Sequence, residues 1–519
     1  MSDAIALEVF RHRCSAIAEE MGAALERSAF SANIQERRDY SCALFNAHGL
    51  MVAQAAHIPV HLGAMPQSVS AAIAACGPLA DGDVVILNDP HAGGTHLPDF
   101  TTVAPIYVAH ELMGYSATRA HHADVGGMAP GSMPLSRSLF QEGLIIPPVK
   151  VVAAGAVNTA VVAIISRNSR TSAERSGDLQ AQFACHTIAN RRMESLCARM
   201  GADVVHTMLD ALIAYGEKRM RALIRAIPNG VYAAHDFLDH DGVSATPLHI
   251  AVTLTVHDDT VDIDFTGTAP ACLGPLNAPV AVTESAVLYA LRSLDGDDMP
   301  ASAGAFRPLR WHIPAGSLLN PPPGVAVAGG NVETSQRVVD VIYRALSLAL
   351  PMMIPAQSAG TMNNWTMGGV TDNQHPFAYY ETLGGGMGAR PTLPGLNAVQ
   401  THMTNTRNTP VEMFERLYPV RVHTLAVRRQ SGGAGLMRGG DGLTKEVEFL
   451  VDTTLSLLTE RRVHAPAGSA GGQAGLVGVN HIIAPDGTSS VADKGTFAVS
   501  AGSRLRMETP GGGGYGAAQ

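Results

Sequence analysis

Histidine and aspartate are concentrated in one short part of the chain. The 36 residues from position 89 to position 124 include eight of them: Asp89, His91, His96, Asp99, His110, His121, His122 and Asp124. Imidazole nitrogens and carboxylate oxygens together suit borderline divalent cations such as Zn, Mn, Fe or Co. The cluster therefore predicts a divalent-metal site, and a structural role, in which these side chains satisfy the amides of glycine-rich turns, stays equally open at this point.

Two predicted strands determine which of these residues meet. Residues 101–108 and 113–120 have the apolar pattern of strands joined by a tight connection. If they pair antiparallel about residue 111, Asp99 lies across from about Ala123. This pairing folds the loop before the first strand onto the end of the second strand.

His96, Asp99 and His121 are the three side chains that this hairpin is expected to bring together. Two imidazoles and one carboxylate, with room left for a water molecule, are the usual means by which a protein holds a catalytic metal. The sequence therefore favours these three residues as metal ligands.

The elements around the hairpin predict a mixed α/β (α+β), multi-domain protein. Helical patterning covers residues 7–25 and, with a break near Gly201, residues 172–227, whereas strands and turns dominate beyond residue 420. Residues 446–458 are predicted to form one of these strands. The expected units are an N-terminal α/β domain with the metal site, a helical segment, a mixed α/β domain and a β-rich C-terminal domain, at residues 1–170, 171–230, 231–420 and 421–519.

Several classes of activity are disfavoured by motifs that the sequence lacks. It contains no G-x-x-x-x-G-K-[ST] phosphate loop and no G-x-S-x-G nucleophile elbow. The glycine-rich stretches at residues 386–388 and 511–514 are more typical of turns than of phosphate-binding loops. Nucleotide chemistry, if the protein takes part in it, is therefore expected on another chain.

Composition narrows the partners and the compartment. The 519 residues include 36 Lys and Arg against 45 Asp and Glu, a net charge of −9, so nucleic acids and membranes are poor partners. The most apolar stretch, residues 338–355, contains charged residues and a proline, and the N-terminus lacks a secretory pattern. Six cysteines without a C-x-x-C pair are typical of reduced thiols, so we expect a cytoplasmic protein.

Ordered motifs along nearly the whole chain resemble the hydantoinase B/oxoprolinase family. They include NIQERRDYSCALF (33–45), NDPHAGGTHLPDF (88–100), AHHADVGG (120–127), FQEGLIIPPVK (140–150), GNVETSQRVVD (330–340), HMTNTRNTPVE (402–412) and TPGGGGYG (509–516). This family contains the B subunit of ATP-dependent N-methylhydantoinases and the matching half of 5-oxoprolinase. Acetone and acetophenone carboxylases carry a related subunit.

The resemblance implies a division of labour between two chains. A hydantoinase A-type partner with an actin-like ATPase fold uses ATP to phosphorylate the carbonyl oxygen of a lactam or hydantoin. This chain, which does not bind the ATP, then hydrolyses the ring with metal-activated water. The resemblance also implies a hetero-oligomer with two copies of each chain.

Two other functions stay open. The alternative within the family is a subunit of an ATP-dependent acetone/acetophenone-type carboxylase, although those relatives tend to be longer than this chain. A non-catalytic partner of the ATPase is the third hypothesis, and the histidine and aspartate cluster argues against it because a scaffold needs no such cluster. The particular ring, among 5-oxoproline, hydantoin, N-methylhydantoin and larger lactams, does not follow from the sequence.

The resemblance implies metal ligands as well. His96, Asp99 and His121 match a His-x-x-Asp pair followed by a further histidine, the pattern by which the carboxylase relatives bind metal. Asp39, in the motif at residues 33–45, matches a further carboxylate ligand of hydrolytic relatives. These four residues are the expected ligand set.

Other residues are expected around the metal. Asp124 or His122 by proximity, and Glu142 at a greater distance, would accept the proton of a bound water or orient a ligand. The candidates for binding the anionic intermediate or the polar edge of the ring, each with a structural role as the alternative, are Arg37, Arg38, Arg119, Asn405 and Arg407. His57 and His61 bracket a proline in an apolar segment and are expected to be core histidines satisfied by backbone groups.

Overall fold

The computed structural model describes residues 2–55, 58–296 and 299–518. Helices and four β-sheets make up this part of the chain, which confirms the mixed α/β class. No helix within these ranges is long and apolar enough to cross a membrane. The division into four domains stays a prediction.

Nine α-helices lie in the described ranges. They are α1 (Ser2–Ser28), α2 (Ala32–Gln35), α3 (Ala64–Cys76), α4 (Thr159–Arg167), α5 (Ser172–Met200), α6 (Ala202–Arg225), α7 (Val280–Arg292), α8 (Ser335–Ala349) and α9 (Val411–Leu417). Helices α5 and α6 confirm the helical segment expected over residues 172–227. Gly201 lies at the break between them with a φ of 87°, a left-handed conformation that glycine adopts without strain.

Twenty strands lie in the same ranges. They are β1 (Tyr40–Asn46), β2 (Met51–Gln54), β3 (Val84–Leu87), β4 (Asp99–Val108), β5 (Glu111–His121), β6 (Val149–Ala153), β7 (Ala156–Val157), β8 (Gly230–Leu238), β9 (Leu248–His257), β10 (Thr260–Asp264), β11 (Leu309–His312), β12 (Asn364–Val370), β13 (Pro376–Glu381), β14 (Val420–Arg428), β15 (Gly442–Phe449), β16 (Thr453–Leu458), β17 (Val479–Ile483), β18 (Ser489–Val491), β19 (Gly495–Val499) and β20 (Arg504–Glu508). The four sheets have the orders β2-β1-β5-β4-β3-β6-β7, β11-β10-β9-β8, β13-β12-β16-β19 and β14-β15-β20-β17-β18. Strands β4 and β5 are therefore internal strands of the largest sheet.

The β4–β5 hairpin positions the histidine and aspartate cluster. Its turn residues, Ala109 and His110, have φ values of 48° and 71°, as the tight type I′ turn requires. With a bulge at Met113 of β5, this turn places Asp99 directly opposite His121. The expectation that Asp99 faces Ala123 was wrong by two positions, because the turn centres on residues 109 and 110 rather than on residue 111.

The strand predicted for residues 446–458 is two strands in two different sheets. β15 ends at Phe449, and β16 begins at Thr453 after a short connection in which Leu450 is 43% exposed. Phe449 and Leu455 nevertheless belong to the same hydrophobic core. The prediction was wrong because apolar residues continue on both sides of the connection, so the pattern does not reveal that the chain changes sheet.

The glycine run at residues 511–514 is neither a turn nor a phosphate-binding loop. Its four amides donate to backbone carbonyls of three separate segments, at Gln357, at Gly440 and at Gln473 and Leu476, over 2.8 to 3.1 Å. A Cβ on Gly513 would lie 2.1 Å from the carbonyl oxygen of Ala467. The expectation of a turn was wrong because close approach to distant backbone, rather than chain reversal, requires these glycines.

Candidate metal centre

Three predicted ligands meet where β4 begins and β5 ends. Nε2 of His96 lies 3.0 Å, and Nδ1 of His121 3.2 Å, from Oδ1 of Asp99. All three side chains are buried, and each offers a ligand atom within 4.8 Å of the others. Ligands on one tetrahedral cation with bonds of about 2.0–2.1 Å lie roughly 3.3 Å apart. The observed spacing therefore fits a single shared ion.

The two oxygens of Asp99 have different surroundings. Oδ2 accepts hydrogen bonds from the Thr95 hydroxyl at 2.6 Å and the Asn331 amide at 3.5 Å, and Nε2 of His61 lies 3.3 Å from it. Oδ1 faces the two candidate imidazole ligands. Burial opposes ionisation, but the surrounding imidazoles hold the pKa of Asp99 well below its usual range. Asp99 is therefore a carboxylate whose Oδ1 faces the two candidate imidazole ligands.

A backbone carbonyl orients His96. Nδ1 of His96 donates to the carbonyl oxygen of Ala328 at 3.2 Å, so Nε2 is the ring nitrogen available to a metal. This buried Nε2 faces Oδ1 of Asp99 at 3.0 Å and has no other partner within the described part of the chain. Because Nε2 and the Asp99 oxygen converge on the same space, this nitrogen fits the role of a metal ligand.

Glu142 holds the peptide that orients His96. Its Oε1 accepts hydrogen bonds from the amides of Val327 and Ala328, at 2.9 and 3.0 Å, and from the Ser136 hydroxyl at 2.7 Å. Burial raises the pKa of Glu142 to about 7, although these hydrogen bonds act in the opposite direction. The structure thus places this predicted proton acceptor behind His96, with a backbone segment between them.

Tyr380 supports the second histidine. Its ring stacks on that of His121 with centroids 4.5 Å apart, and its hydroxyl donates to Oδ1 of Asn364 at 2.8 Å. Arg37, one of the predicted anion-binding residues, is fully buried and donates to the Tyr380 carbonyl at 2.7 Å and to the Thr382 hydroxyl at 3.1 Å. Arg37 therefore contacts the backbone of the residue whose ring stacks on His121.

A cavity of about 20 Å³ lies between the candidate ligands. This volume accommodates one ion or one water molecule and is far below the roughly 300–1,000 Å³ of small-molecule pockets. Besides the three ligands, its walls include Asp39, Ile58, Val60, His61, Asn331, Val332, Met362, Tyr380, Thr382 and Thr404. Part of the wall is a π-helical turn, Gly330–Thr334, a feature frequent at functional sites. We call this space the metal cavity.

Asp39, the predicted fourth ligand, is buried and lines the metal cavity. It lies immediately before β1, and its carbonyl oxygen accepts a hydrogen bond from the His121 amide at 2.9 Å. The structure thus brings a second carboxylate to the same space as the two histidines and Asp99.

His61 belongs to this site although the sequence did not indicate it. Its Nδ1 lies 2.9 Å from the Ser41 hydroxyl and its Nε2 3.3 Å from Oδ2 of Asp99. The expectation of a core histidine satisfied by backbone groups was therefore wrong, because both ring nitrogens face side chains. His57, which carried the same expectation, lies outside the described residues. A polar residue in an otherwise apolar segment was the only signal for His61.

Two predicted proton acceptors point away from the metal cavity. His122 follows the last residue of β5 and does not line the metal cavity; its Nε2 lies 2.9 Å from Oε1 of Gln182 in α5. Burial lowers the pKa of His122 to about 3. Asp124 accepts hydrogen bonds from backbone amides of the following loop and pairs with Arg170 at 3.0 Å.

Arg119, another predicted anion-binding residue, does not line the metal cavity. It is fully buried and donates to the hydroxyls of Thr101 and Ser68, at 2.8 and 2.7 Å, and to the Gly93 carbonyl at 3.1 Å. Burial lowers its pKa to about 10. These contacts connect β4 and α3 to the loop that carries His96.

The remaining predicted residues line a different cavity, which we call the outer cavity. Its volume is about 500 Å³, and its walls are Glu19, Ala23, Glu26, Arg27, Arg38, Tyr40, Asn405 and Arg407. Asn405 and Arg407 are exposed, whereas Thr406 between them is buried, and its hydroxyl lies 2.8 Å from that of Thr382. Thr406 thus anchors this segment through the Thr382 hydroxyl, while Asn405 and Arg407 line the outer cavity.

A buried histidine beneath β4 and β5 makes the fold sensitive to acid. His186 lies between the hydroxyls of Ser116 and Thr102, at 2.7 and 2.9 Å, and burial lowers its pKa from 6.5 to about 3. The unfolded chain therefore takes up a proton that the folded protein does not, so this contribution to stability is complete above pH 6.5 and is lost as the pH falls. We expect His186→Gln to reduce the slope of unfolding free energy against pH, by up to about 1.4 kcal/mol per unit.

Urea titrations of the wild type and the variant between pH 7 and about 4 measure this slope. His375→Gln, at an exposed position, is the matched control and should keep the slope of the wild type. Identical slopes for all three proteins would contradict the expectation.

Comparison with known proteins identifies a matching family and similar sequences. Residues 3–518 match the family model described as hydantoinase B/oxoprolinase. The protein named 5-oxoprolinase 1 of Arabidopsis thaliana is 41% identical over 545 residues, which cover 99% of this chain and 42% of that protein. This chain thus spans less than half the length of that relative.

Two further comparisons match over most of both chains. A protein of Pseudomonas sp. (strain NS671), named as the B subunit of a putative D-/L-hydantoinase, is 32% identical over 536 residues, covering 99% of this chain and 90% of that one. The crystal structure of the ATP-dependent caprolactamase from Pseudomonas jessenii has a TM-score of 0.92 and 27% identity, covering 99% of this chain and 91% of that chain. Similarity in sequence and in fold therefore extends over nearly the whole chain.

Proposed function

The chain belongs to the hydantoinase B/oxoprolinase family, and we propose that it is the B subunit of an ATP-dependent hydrolase of cyclic amides. In this proposal a partner of the A type phosphorylates the carbonyl oxygen of a lactam or hydantoin, and this chain opens the ring. Two similarities support the division: the relative named 5-oxoprolinase 1 is covered over 42% of its length, whereas the relative named as a hydantoinase B subunit is covered over 90%.

The observation that carries the proposal is the convergence of His96, Asp99 and His121 on one small cavity. When bound there, a divalent cation such as Zn, Mn, Fe or Co supplies a nucleophile at neutral pH by lowering the pKa of a water ligand towards about 7. Asp99 contributes a charged oxygen, and His96 a nitrogen whose orientation Ala328 maintains. Asp39 offers a further carboxylate from the cavity wall.

Phosphorylation of the substrate accounts for the use of ATP in such a reaction. An amide carbonyl resists attack by water because resonance stabilises it. A phosphoryl group on the carbonyl oxygen turns the amide into an imidate-like electrophile and provides phosphate as a leaving group. The chain has no G-x-x-x-x-G-K-[ST] loop, which agrees with ATP binding on the partner.

Production of this chain together with the A-type ATPase chain of the same organism tests the proposal. The substrates to screen are 5-oxoproline, hydantoin, N-methylhydantoin and caprolactam. We expect one of these rings to open, with formation of ADP, only when both chains and ATP are present. ATP- and bicarbonate-dependent carboxylation of acetone or acetophenone, or the absence of any ring opening, would contradict it.

A further inference from the structure

Three arginines line the outer cavity. Arg27 comes from the last turn of α1, Arg38 from the residues before β1, and Arg407 from the segment before α9. Arg38 pairs with Glu26 at 2.7 Å, whereas no side chain of the described residues accepts a hydrogen bond from Arg27 or Arg407. Three guanidinium groups face two carboxylates, Glu19 and Glu26, so the cavity has a positive balance.

The outer cavity and the metal cavity share a wall. Arg38 and Tyr40 line the outer cavity, while Asp39 between them lines the metal cavity. The same alternation occurs at Thr404, which lines the metal cavity, and Asn405, which lines the outer cavity. In two segments, therefore, neighbouring residues line the outer cavity and the metal cavity.

The two cavities differ in the size and charge of what they accept. The metal cavity, at about 20 Å³, holds an ion or a water molecule, whereas the outer cavity, at about 500 Å³, has the volume of a small-molecule site. The planar guanidinium donates paired hydrogen bonds that match phosphate oxygens. The outer cavity is thus suited to a small molecule that carries a phosphoryl group.

We propose that the outer cavity is a phosphoryl-binding site next to the metal centre, with Arg27 and Arg407 as its principal donors. This inference rests on the proposed function, in which a phosphorylated cyclic amide arrives from the partner and inorganic phosphate leaves. Both molecules present the same dianionic oxygens. The site therefore holds the arriving intermediate outside the metal cavity, or it holds the departing phosphate.

Titration of the full chain alone with inorganic phosphate measures this site without catalysis. We expect the double variant Arg27→Gln/Arg407→Gln to bind phosphate at least about tenfold more weakly, since it removes charge-assisted hydrogen bonds at two exposed positions. Arg13→Gln is the matched control, because Arg13 lies on the same helix but lines a different groove. Equal phosphate affinity in the wild type and the double variant would overturn the proposal.

The complex with the A-type partner distinguishes the two sources of the phosphoryl group. If the cavity holds the phosphorylated substrate, the double variant should form at least about twice as much ADP per ring opened, because the activated amide escapes before hydrolysis. If it holds departing phosphate, that ratio should stay constant while inhibition by added phosphate weakens. A wild-type complex that opens no ring would contradict the proposed function. The phosphate titration of the chain alone would still test the proposed phosphoryl-binding site.

Discussion

Asparagine in place of Asp99 is expected to abolish metal binding and ring opening together. The carboxylate lies 3.0 and 3.2 Å from the two candidate histidine ligands and supplies the negative charge among the three. In the variant, the amide oxygen would remain with the donors Thr95 and Asn331, and the NH₂ group would face the cation. Loss of a residue that only supports a metal ligand weakens metal binding by up to about 100-fold. Because Asp99 is itself a candidate ligand, we expect cation affinity to fall by at least that factor.

Two measurements check this outcome: metal content after dialysis, and ATP-dependent ring opening in the presence of the A-type partner. Asp89→Asn is the matched control from the same histidine and aspartate cluster, because Asp89 accepts a hydrogen bond from the His91 amide at 2.9 Å and does not line the metal cavity. The control should retain both properties. An Asp99→Asn protein with the metal content and turnover of the wild type would contradict the assignment.

Leucine in place of Glu142 is expected to weaken metal binding about 10- to 100-fold without removing a ligand. The variant leaves the buried amides of Val327 and Ala328 without their acceptor, so the Ala328 carbonyl no longer has a defined position for His96. His96 then loses the hydrogen bond that selects its metal-binding tautomer. Competition with a chelator measures the affinity, and the ligand-field spectrum of bound Co²⁺ reports the geometry.

Glu142→Gln separates orientation of His96 from a general effect on the fold. Glutamine keeps an oxygen that accepts the two amide hydrogen bonds, so affinity within about threefold of the wild type and an unchanged Co²⁺ spectrum are expected. Wild-type affinity and spectrum in the leucine variant would show that Glu142 has no part in positioning His96.

The three candidate ligands were predictable because they are local in sequence. His96, Asp99 and His121 lie within one hairpin, and two strands with a tight connection are enough to bring them together. The predicted register was wrong by two positions, yet the same side chains met. A shift of two residues keeps every side chain on its original face, whereas a shift of one would have separated Asp99 from His121.

The supports of the ligands were not predictable, because they come from distant parts of the chain. His61 lies 3.3 Å from Asp99 across a separation in sequence that no local pattern spans. Glu142 contacts residues 327 and 328, which are 185 and 186 positions away. The roles expected for His122 and Asp124 followed from proximity in sequence, but both residues lie beyond the end of β5, where His122 contacts Gln182 and Asp124 pairs with Arg170.

X-ray diffraction from crystals of the metal-loaded protein, recorded at the absorption edge of the bound cation, tests the central claim most directly. The account predicts an anomalous peak bounded by Oδ1 of Asp99, Nε2 of His96 and a nitrogen of His121, at bonding distances of about 2.0–2.2 Å. Protein that opens a cyclic amide with its partner, yet shows no anomalous peak between these three side chains, would contradict it.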